Sequence, residues 1–203
     1  MSVYILLGPE EGEKKKWLDR KRAQALSDFP DAEIHSFFGG EDEGDALSNV
    51  LSQSSLFSSY RFVVVKHYEN AKKTDSMSLA ISQFMSEEHE DADLIIMSSE
   101  TNLSSFPKEA QSIKKENVIT FWELKEEEKK NWIRGYCRKE GFMISQPAVD
   151  EILSSVDNNT EEMKTLVSSI ILFLRLSDKS KNTIDLEEIE TYSARTKGET
   201  GYT

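Results

Sequence analysis

Short apolar runs alternate with helix-like periodicity over residues 1–123. Most of these runs are continuously apolar instead of alternating, which is typical of strands that are covered on both faces. The run Phe62–Val65 is the strongest, because its residues are all β-branched or aromatic. The predicted strands are Val3–Leu7, Ala32–Phe38, Phe62–Val65, Leu94–Met97 and Val118–Phe121.

Helical patterns separate these strands. A charged helix is predicted from about Glu10 to Ser27, before Phe29 and Pro30. Two further helices are indicated by apolar residues at helical spacing, which are Ala46, Leu47, Val50 and Leu51 in one and Met77, Ala80, Ile81, Phe84 and Met85 in the other. Strands that alternate with helices predict an α/β fold, a parallel sheet flanked by helices.

The pattern changes near Leu124, after which no strand-like run is seen. Four helices are predicted there. The first carries the apolar positions Trp132, Ile133, Tyr136 and Cys137, the second begins after Ser145, and the last two begin with capping-box spacings at Asn159 and Glu162 and at Asp185 and Glu188. We therefore expect two domains, an α/β domain over residues 1–123 and a small all-helical domain over residues 124–203.

Composition narrows the function classes. The formal net charge of −12 and the pI near 4.8 disfavour non-specific binding to nucleic acid. Cys137 stands alone, so an intramolecular disulfide and a thiolate zinc site are both excluded, as expected in a reducing compartment. The start of the chain is unlike a signal peptide, and the run Ile170–Leu174 is too short to cross a bilayer. These features predict a cytoplasmic protein.

The loop after the first strand stands where a P-loop protein holds its phosphates. That loop requires G-x-x-x-x-G-K-[ST], and this chain has Gly8 through Lys15 there. Glu13 replaces the second glycine and Lys15 replaces the hydroxyl that binds magnesium. Glu10 and Glu11 add negative charge that would repel a nucleotide. The pattern predicts a degenerate nucleotide site.

Two other strand ends are positions where an ATPase has functional residues. Phe62–Val65 is followed by Lys66 and His67, where an ATPase has carboxylates for magnesium. Ser98 and Ser99 follow another strand, as a polar sensor or as local caps. Because the histidines are scattered and the acidic clusters resemble solvated loops, we expect no catalytic, cofactor-binding or metal-binding residue.

The segment Gln53-Ser54-Ser55-Leu56-Phe57 allows two interpretations. Leu56 and Phe57 could end the preceding helix inside the core. Alternatively they are exposed, since they lie in a serine-rich run beyond the last periodic apolar position. The pattern Q-x-S-L-F resembles the short peptide with which bacterial proteins enter the hydrophobic pocket of the DNA polymerase sliding clamp, although Ser54 departs from its usual aliphatic second position.

Nearly the whole sequence resembles the delta subunit family of the bacterial DNA polymerase III clamp loader. The segment Ser55–Lys66, which joins Ser-Leu-Phe to an Arg-x-Val-Val-Val strand, carries the most specific part of the likeness. The other segments that resemble the family are Val3–Glu11, Asp93–Ile96, Trp132-Ile133, Gly141–Ser145 and Ile184–Ile189.

This resemblance implies a function and a site. It implies an AAA+-like domain without a working ATP site, a helical lid-type domain, and a collar domain beyond this sequence. It also implies that Leu56 and Phe57 form the wedge inserted into the clamp, with Gln53 and Ser55 in the same clamp-binding motif. The expected partners are the sliding clamp and the other loader subunits, with DNA only in the assembled loader. The chain would then be an accessory subunit of the polymerase holoenzyme and not an enzyme on its own.

Three alternatives remain open. The chain could be an AAA+ ATPase with an atypical P-loop, which the charges of Glu13, Lys15 and Lys66 oppose. It could be an inactive stator-type loader subunit, but such a subunit would carry zinc-binding cysteines and a Ser-Arg-Cys motif, and a chain whose one cysteine is Cys137 has neither. The basic run from Lys14 to Arg22 is a solvated helix face, or it contacts a neighbouring subunit or primer-template DNA.

Overall fold

The computed structural model describes residues 2–52, 59–72, 75–87, 89–156, 159–177 and 180–199, with the backbone alone at residues 2 and 196–199. The chain divides into two compact units, residues 1–122 and 123–203. The fold class predicted from the sequence, a parallel sheet flanked by helices, is confirmed in the first unit.

Among its described residues, the first unit contains five parallel strands in the order β2-β3-β4-β1-β5. The strands are β1 (Ser2–Leu7), β2 (Glu33–Phe38), β3 (Arg61–Lys66), β4 (Ala92–Met97) and β5 (Val118–Thr120). Each lies on one of the predicted apolar runs, with bounds that differ by one or two residues. The central strands β3 and β4 are buried along almost their whole length, because helices cover both faces of the sheet.

The two faces of the sheet pack against different helices. These helices are α1 (Glu11–Asp28), α2 (Gly44–Ser52) and α3 (Ser76–Ser86). Alternate strand residues, such as Ile5 and Val63, share one core with α2 and α3. Their neighbours, such as Leu6 and Val64, share the other core with α1. The side-chain alternation of a strand therefore gives the sheet two hydrophobic layers.

The described part of the second unit contains four helices around one core. They are α4 (Glu126–Lys139), α5 (Gln146–Ser155), α6 (Thr160–Ser177) and α7 (Leu186–Glu199). Two predicted caps are present, since the Glu162 amide donates to Asn159 Oδ1 over 3.0 Å and the Asp185 amide to Glu188 Oε2 over 2.8 Å. Cys137 lies in this core, where burial raises the pKa of its thiol to about 11.

The prediction of an all-helical second part was wrong in one detail. Two strands of two residues each, β6 (Met143–Ile144) and β7 (Thr183–Ile184), pair in parallel. The apolar run at β6 has only three residues, Phe142 to Ile144, which is too short to show a strand period, and the Met143 side chain is 74% exposed. The pair joins the residues before α5 to the residues before α7, so it brings the starts of these two helices together.

Helix α6 is long, but neither it nor any other helix in the described ranges combines the length and apolar character needed to cross a membrane.

Two leucines of helix α6 allow a direct test of the core of the second unit. Leu174 is 4% exposed and Leu176 is 78% exposed, although they lie two residues apart on the same helix.

We expect Leu174→Ala to lower the free energy of unfolding by about 2–5 kcal/mol, because it leaves a cavity in the core. The matched change Leu176→Ala should stay within about 0.5 kcal/mol of the parent. Chemical denaturation of both variants, followed by circular dichroism, measures the difference. Equal losses in the two variants would show that the orientation of α6 is wrong.

Candidate functional site

The carboxyl ends of β1, β3 and β4 meet at one edge of the sheet, because the three strands are parallel neighbours in the order β3-β4-β1. In open α/β sheets this edge is where ligands bind. Gly8 follows β1, His67 follows β3 and Ser98 follows β4. We call this group of strand ends, together with the first turn of α1, the sheet corner.

Gly8 is required by packing within the sheet corner. It has a positive φ of 101°, and its amide donates to the Glu100 carbonyl over 2.8 Å. A Cβ atom at this position would lie 2.2 Å from the Phe121 carbonyl oxygen, so no side chain fits. The glycine that resembles the first glycine of a P-loop thus has a structural reason of its own.

Lys14, which aligns with the lysine of a P-loop, is 1% exposed. Its Nζ donates to Glu11 Oε1 over 2.5 Å and to the Ser98 carbonyl over 2.9 Å. The Glu11 carboxylate is therefore the counter-ion that a nucleotide phosphate would otherwise provide. The sequence interpretations of the basic run placed Lys14 on a solvated or partner-contacting face, and neither fits this buried position.

The end of β3 is also occupied by internal contacts. His67 has a left-handed backbone, with φ of 52°, and its Nδ1 lies 3.5 Å from Glu69 Oε1. Glu69 Oε2 accepts a hydrogen bond from the Ser99 amide over 3.1 Å. Burial raises the pKa of Glu69, but the hydrogen bonds that it accepts outweigh burial, so its pKa is lowered overall.

Ser98 serves as a local cap. Its Oγ accepts a hydrogen bond from the Glu100 amide over 3.2 Å, while its carbonyl binds Lys14. These contacts favour the capping interpretation of the serine pair over the sensor interpretation.

Little space is left in the sheet corner. The cavity lined by Glu11, Lys14, Lys66, Glu69 and Ser98 has a volume of about 30 Å³. A space of this size holds about two water molecules, whereas ligand pockets measure about 300–1,000 Å³. In the part of the chain that the structure describes, no three His, Cys, Asp or Glu side chains are grouped so that they could hold a metal ion.

The predicted clamp-binding residues Gln53, Ser55, Leu56 and Phe57 lie outside the described residues. Their role stays a prediction. Helix α2 ends at Ser52, and the described chain resumes at Ser59, two residues before β3.

Two side chains hold the chain on either side of residues 53–58. The Arg61 guanidinium donates to the carbonyls of Val50 and Leu51, over 2.6 and 3.2 Å. Asp31 accepts from the Ser59 amide and from Ser59 Oγ, each over 2.8 Å. The hydrogen bonds from Ser59 hold the pKa of Asp31 below its usual value. The sequence pattern does not predict these contacts, because they join residues that are 10 to 28 positions apart.

The ion pair in the sheet corner predicts unequal effects for two glutamates in the first turn of α1. Glu11 and Glu13 each pair with the lysine three positions later over 2.5 Å, but Lys14 is buried and Lys16 is exposed. Glu11→Ala should lower the free energy of unfolding by on the order of 2 kcal/mol. This is less than for a fully buried pair, because the Glu11 side chain is 35% exposed.

The matched change Glu13→Ala should alter stability by less than about 0.5 kcal/mol, as is usual for surface pairs. Urea unfolding curves of the two variants provide the measurement. If the Glu11→Ala variant were as stable as the Glu13→Ala variant, the ion pair between Glu11 and Lys14 would not stabilise the sheet corner.

Solved structures that resemble this chain share its fold. The Bacillus subtilis DNA clamp loader delta protein matches with a TM-score of 0.50 and 18% identity, over 94% of this chain and 57% of that one. The Thermotoga maritima RuvB branch migration motor matches with a TM-score of 0.64 and 11% identity, over 94% of this chain and 60% of that one. Domain III of the Thermotoga maritima replication initiation protein DnaA has a TM-score of 0.63 and 15% identity, over 94% of this chain and 82% of that one.

These identities are low, so the likeness establishes an AAA+-like fold and no more. The chain spans a little over half the length of the clamp loader delta protein that it matches. A search of curated proteins by sequence gave no match.

The family comparison is more specific. The model of the DNA polymerase III delta subunit matches residues 4–122, which is more than half of the 203 residues. The matched range contains the sheet except for the first two residues of β1, the sheet corner and the segment from Gln53 to Phe57. The chain therefore belongs to the family of the DNA polymerase III delta subunit.

Proposed function

We propose that this chain acts in a clamp loader, where it binds the DNA polymerase sliding clamp and helps to open it during replication, without ATPase activity of its own. The observation that carries this proposal is the family match over residues 4–122, a range that includes the predicted clamp-binding residues. The proposed partners are the clamp and the other loader subunits, with DNA only in the assembled loader. The proposed location is the cytoplasm.

The sheet corner supports the absence of ATPase activity. The P-loop lysine is neutralised by Glu11, and Lys66 and His67 replace the carboxylates that would hold magnesium. A nucleotide would have to displace the internal ion pair and enlarge a cavity of about 30 Å³. These features favour the proposal over the alternative of an AAA+ ATPase with an atypical P-loop.

Clamp binding is proposed to depend on Leu56 and Phe57. Burying two large apolar side chains contributes about 3–6 kcal/mol before the costs of association, at ~1.5–3 kcal/mol for each. Two residues can therefore dominate the interface as hot spots. A stator-type subunit would not need this pair, and the family match to the delta subunit favours the clamp-binding role over that alternative.

Nucleotide binding provides a direct check on the first part of the proposal. Titration of the chain with Mg-ATP in a calorimeter should give no binding heat, because Glu11 and Glu13 oppose the phosphates and Lys14 is already paired. Micromolar affinity, or phosphate release above the rate without protein, would contradict the proposal.

The wedge is tested by the double change Leu56→Ala and Phe57→Ala. The melting temperature should stay nearly unchanged, because exposed side chains leave no core cavity. Affinity for a bacterial sliding clamp should fall by about two to four decades, the upper limit set by ~3–6 kcal/mol at 1.4 kcal/mol per decade. Both quantities are measured on the same preparation by differential scanning fluorimetry and surface plasmon resonance.

Leu79→Ala is the matched control, because Leu79 is a 63% exposed leucine on α3 of the same unit. It should change neither quantity. If the double variant instead melts far below the parent, Leu56 and Phe57 belong to the core, and the wedge hypothesis fails.

A further inference from the structure

A larger cavity lies at the edge of the sheet opposite the sheet corner. It is bounded by the carboxyl-terminal parts of α2 and α3 and by the amino ends of β3 and β4. Its volume of about 390 Å³ falls in the range of about 300–1,000 Å³ that is usual for small-molecule pockets. None of the described residues that line it lines the sheet corner as well. We call this cavity the α2–α3 pocket.

One wall of the α2–α3 pocket is apolar. Leu51 from α2 and Ala80 and Phe84 from α3 line this wall, and all three are buried. The His89 ring extends the wall, since it stacks on Phe84 with ring centroids 3.9 Å apart. Such a wall suits the aliphatic or flat part of a ligand better than a fully hydrated ion.

The arginine in the α2–α3 pocket is already used by the protein. The Arg61 side chain is 6% exposed and donates to Asp91 Oδ2 over 2.6 Å. It also donates to the carbonyls of Val50 and Leu51, near the end of α2. Because these groups balance its charge, the described wall of the pocket offers no spare arginine or lysine to an anionic ligand.

The charge that remains at the α2–α3 pocket is negative. The Glu87 side chain is 58% exposed at the rim, and its Oε2 lies 4.0 Å from His89 Nε2, which is too far for a hydrogen bond. Both α2 and α3 end at this pocket, and neither has a basic residue in its last turn. The negative carboxyl end of the α3 dipole therefore adds to the field of Glu87, and both favour a cation.

We propose that the α2–α3 pocket binds a guanidinium or primary ammonium group that is carried on a short aliphatic chain. The charged group pairs with Glu87 beside the end of α3, and the chain packs against Leu51, Ala80 and Phe84. A ligand of this kind is either a free small cation or a basic side chain of another protein. The inference goes beyond clamp binding and does not depend on it, because it uses neither the sheet corner nor residues 53–58.

Nuclear magnetic resonance titration of the ¹⁵N-labelled chain tests the proposal. The probes are agmatine, as a free cation, and N-acetylarginine N-methylamide, as a model of an arginine side chain. We expect saturable shifts of the Gln83, Glu87 and Asp91 amides with a dissociation constant of about 1 mM or tighter, as for a well-placed fragment. Binding of agmatine alone indicates a free small cation as the ligand. Binding of the capped arginine indicates a protein side chain.

An uncharged probe and three variants provide the controls. N-acetylcitrulline N-methylamide has nearly the same shape as the arginine probe and should give no saturable shift. Glu87→Gln should weaken binding by about two- to fivefold, the range for one partly exposed ion pair, and Glu87→Lys should abolish it. Glu90→Gln removes an exposed carboxylate that does not line the pocket, so it should leave the affinity unchanged.

Several outcomes would overturn the proposal. These are equal affinity for the arginine and citrulline probes, no saturation with any cation by about ten times the expected dissociation constant, and binding of inorganic phosphate at the same amides. A Glu87→Lys variant that keeps the parent affinity would also overturn it, and the dispersion of the same spectra shows whether that variant is folded. The proposed function stands or fails separately, because no clamp is present in this titration.

Discussion

Burial of both faces of the parallel sheet is the constraint on which the first unit depends. The central strands β3, β4 and β1 have few exposed positions, so every second side chain must pack against α1 and the others against α2 and α3. Because β3, β4 and β1 are parallel neighbours in the order β2-β3-β4-β1-β5, their carboxyl ends lie together at one edge. The sheet corner is located at this edge.

The chemistry at that edge differs from the pattern that a P-loop requires. The Lys14 ammonium has its counter-ion and its carbonyl acceptor within the protein, in Glu11 and Ser98. A buried cation that already has a counter-ion and a carbonyl acceptor needs no phosphate to be stable there. In the proposed function, the fold is a scaffold for a different site, the predicted clamp-binding segment after α2.

Most elements of the fold could be predicted, because continuous apolar runs and helical spacing report directly on burial. The paired residues Met143 and Thr183 could not, since a two-residue strand has no period to detect. The burial of Lys14 could not be predicted either, because a lysine in a basic run is usually exposed and its partner Ser98 lies 84 positions away. In the candidate site, Glu13 and Lys15 predict the degenerate P-loop from the sequence. The hydrogen bonds of Arg61 and Asp31 could not be predicted, because they depend on tertiary neighbours.

We propose that this chain binds a sliding clamp and that its own sheet corner binds no nucleotide. The most direct measurement is a titration of the chain with a purified bacterial sliding clamp, in parallel with and without Mg-ATP. The proposed function predicts saturable binding with the same dissociation constant in both titrations. Absence of binding, or binding that appears only when Mg-ATP is present, would contradict it.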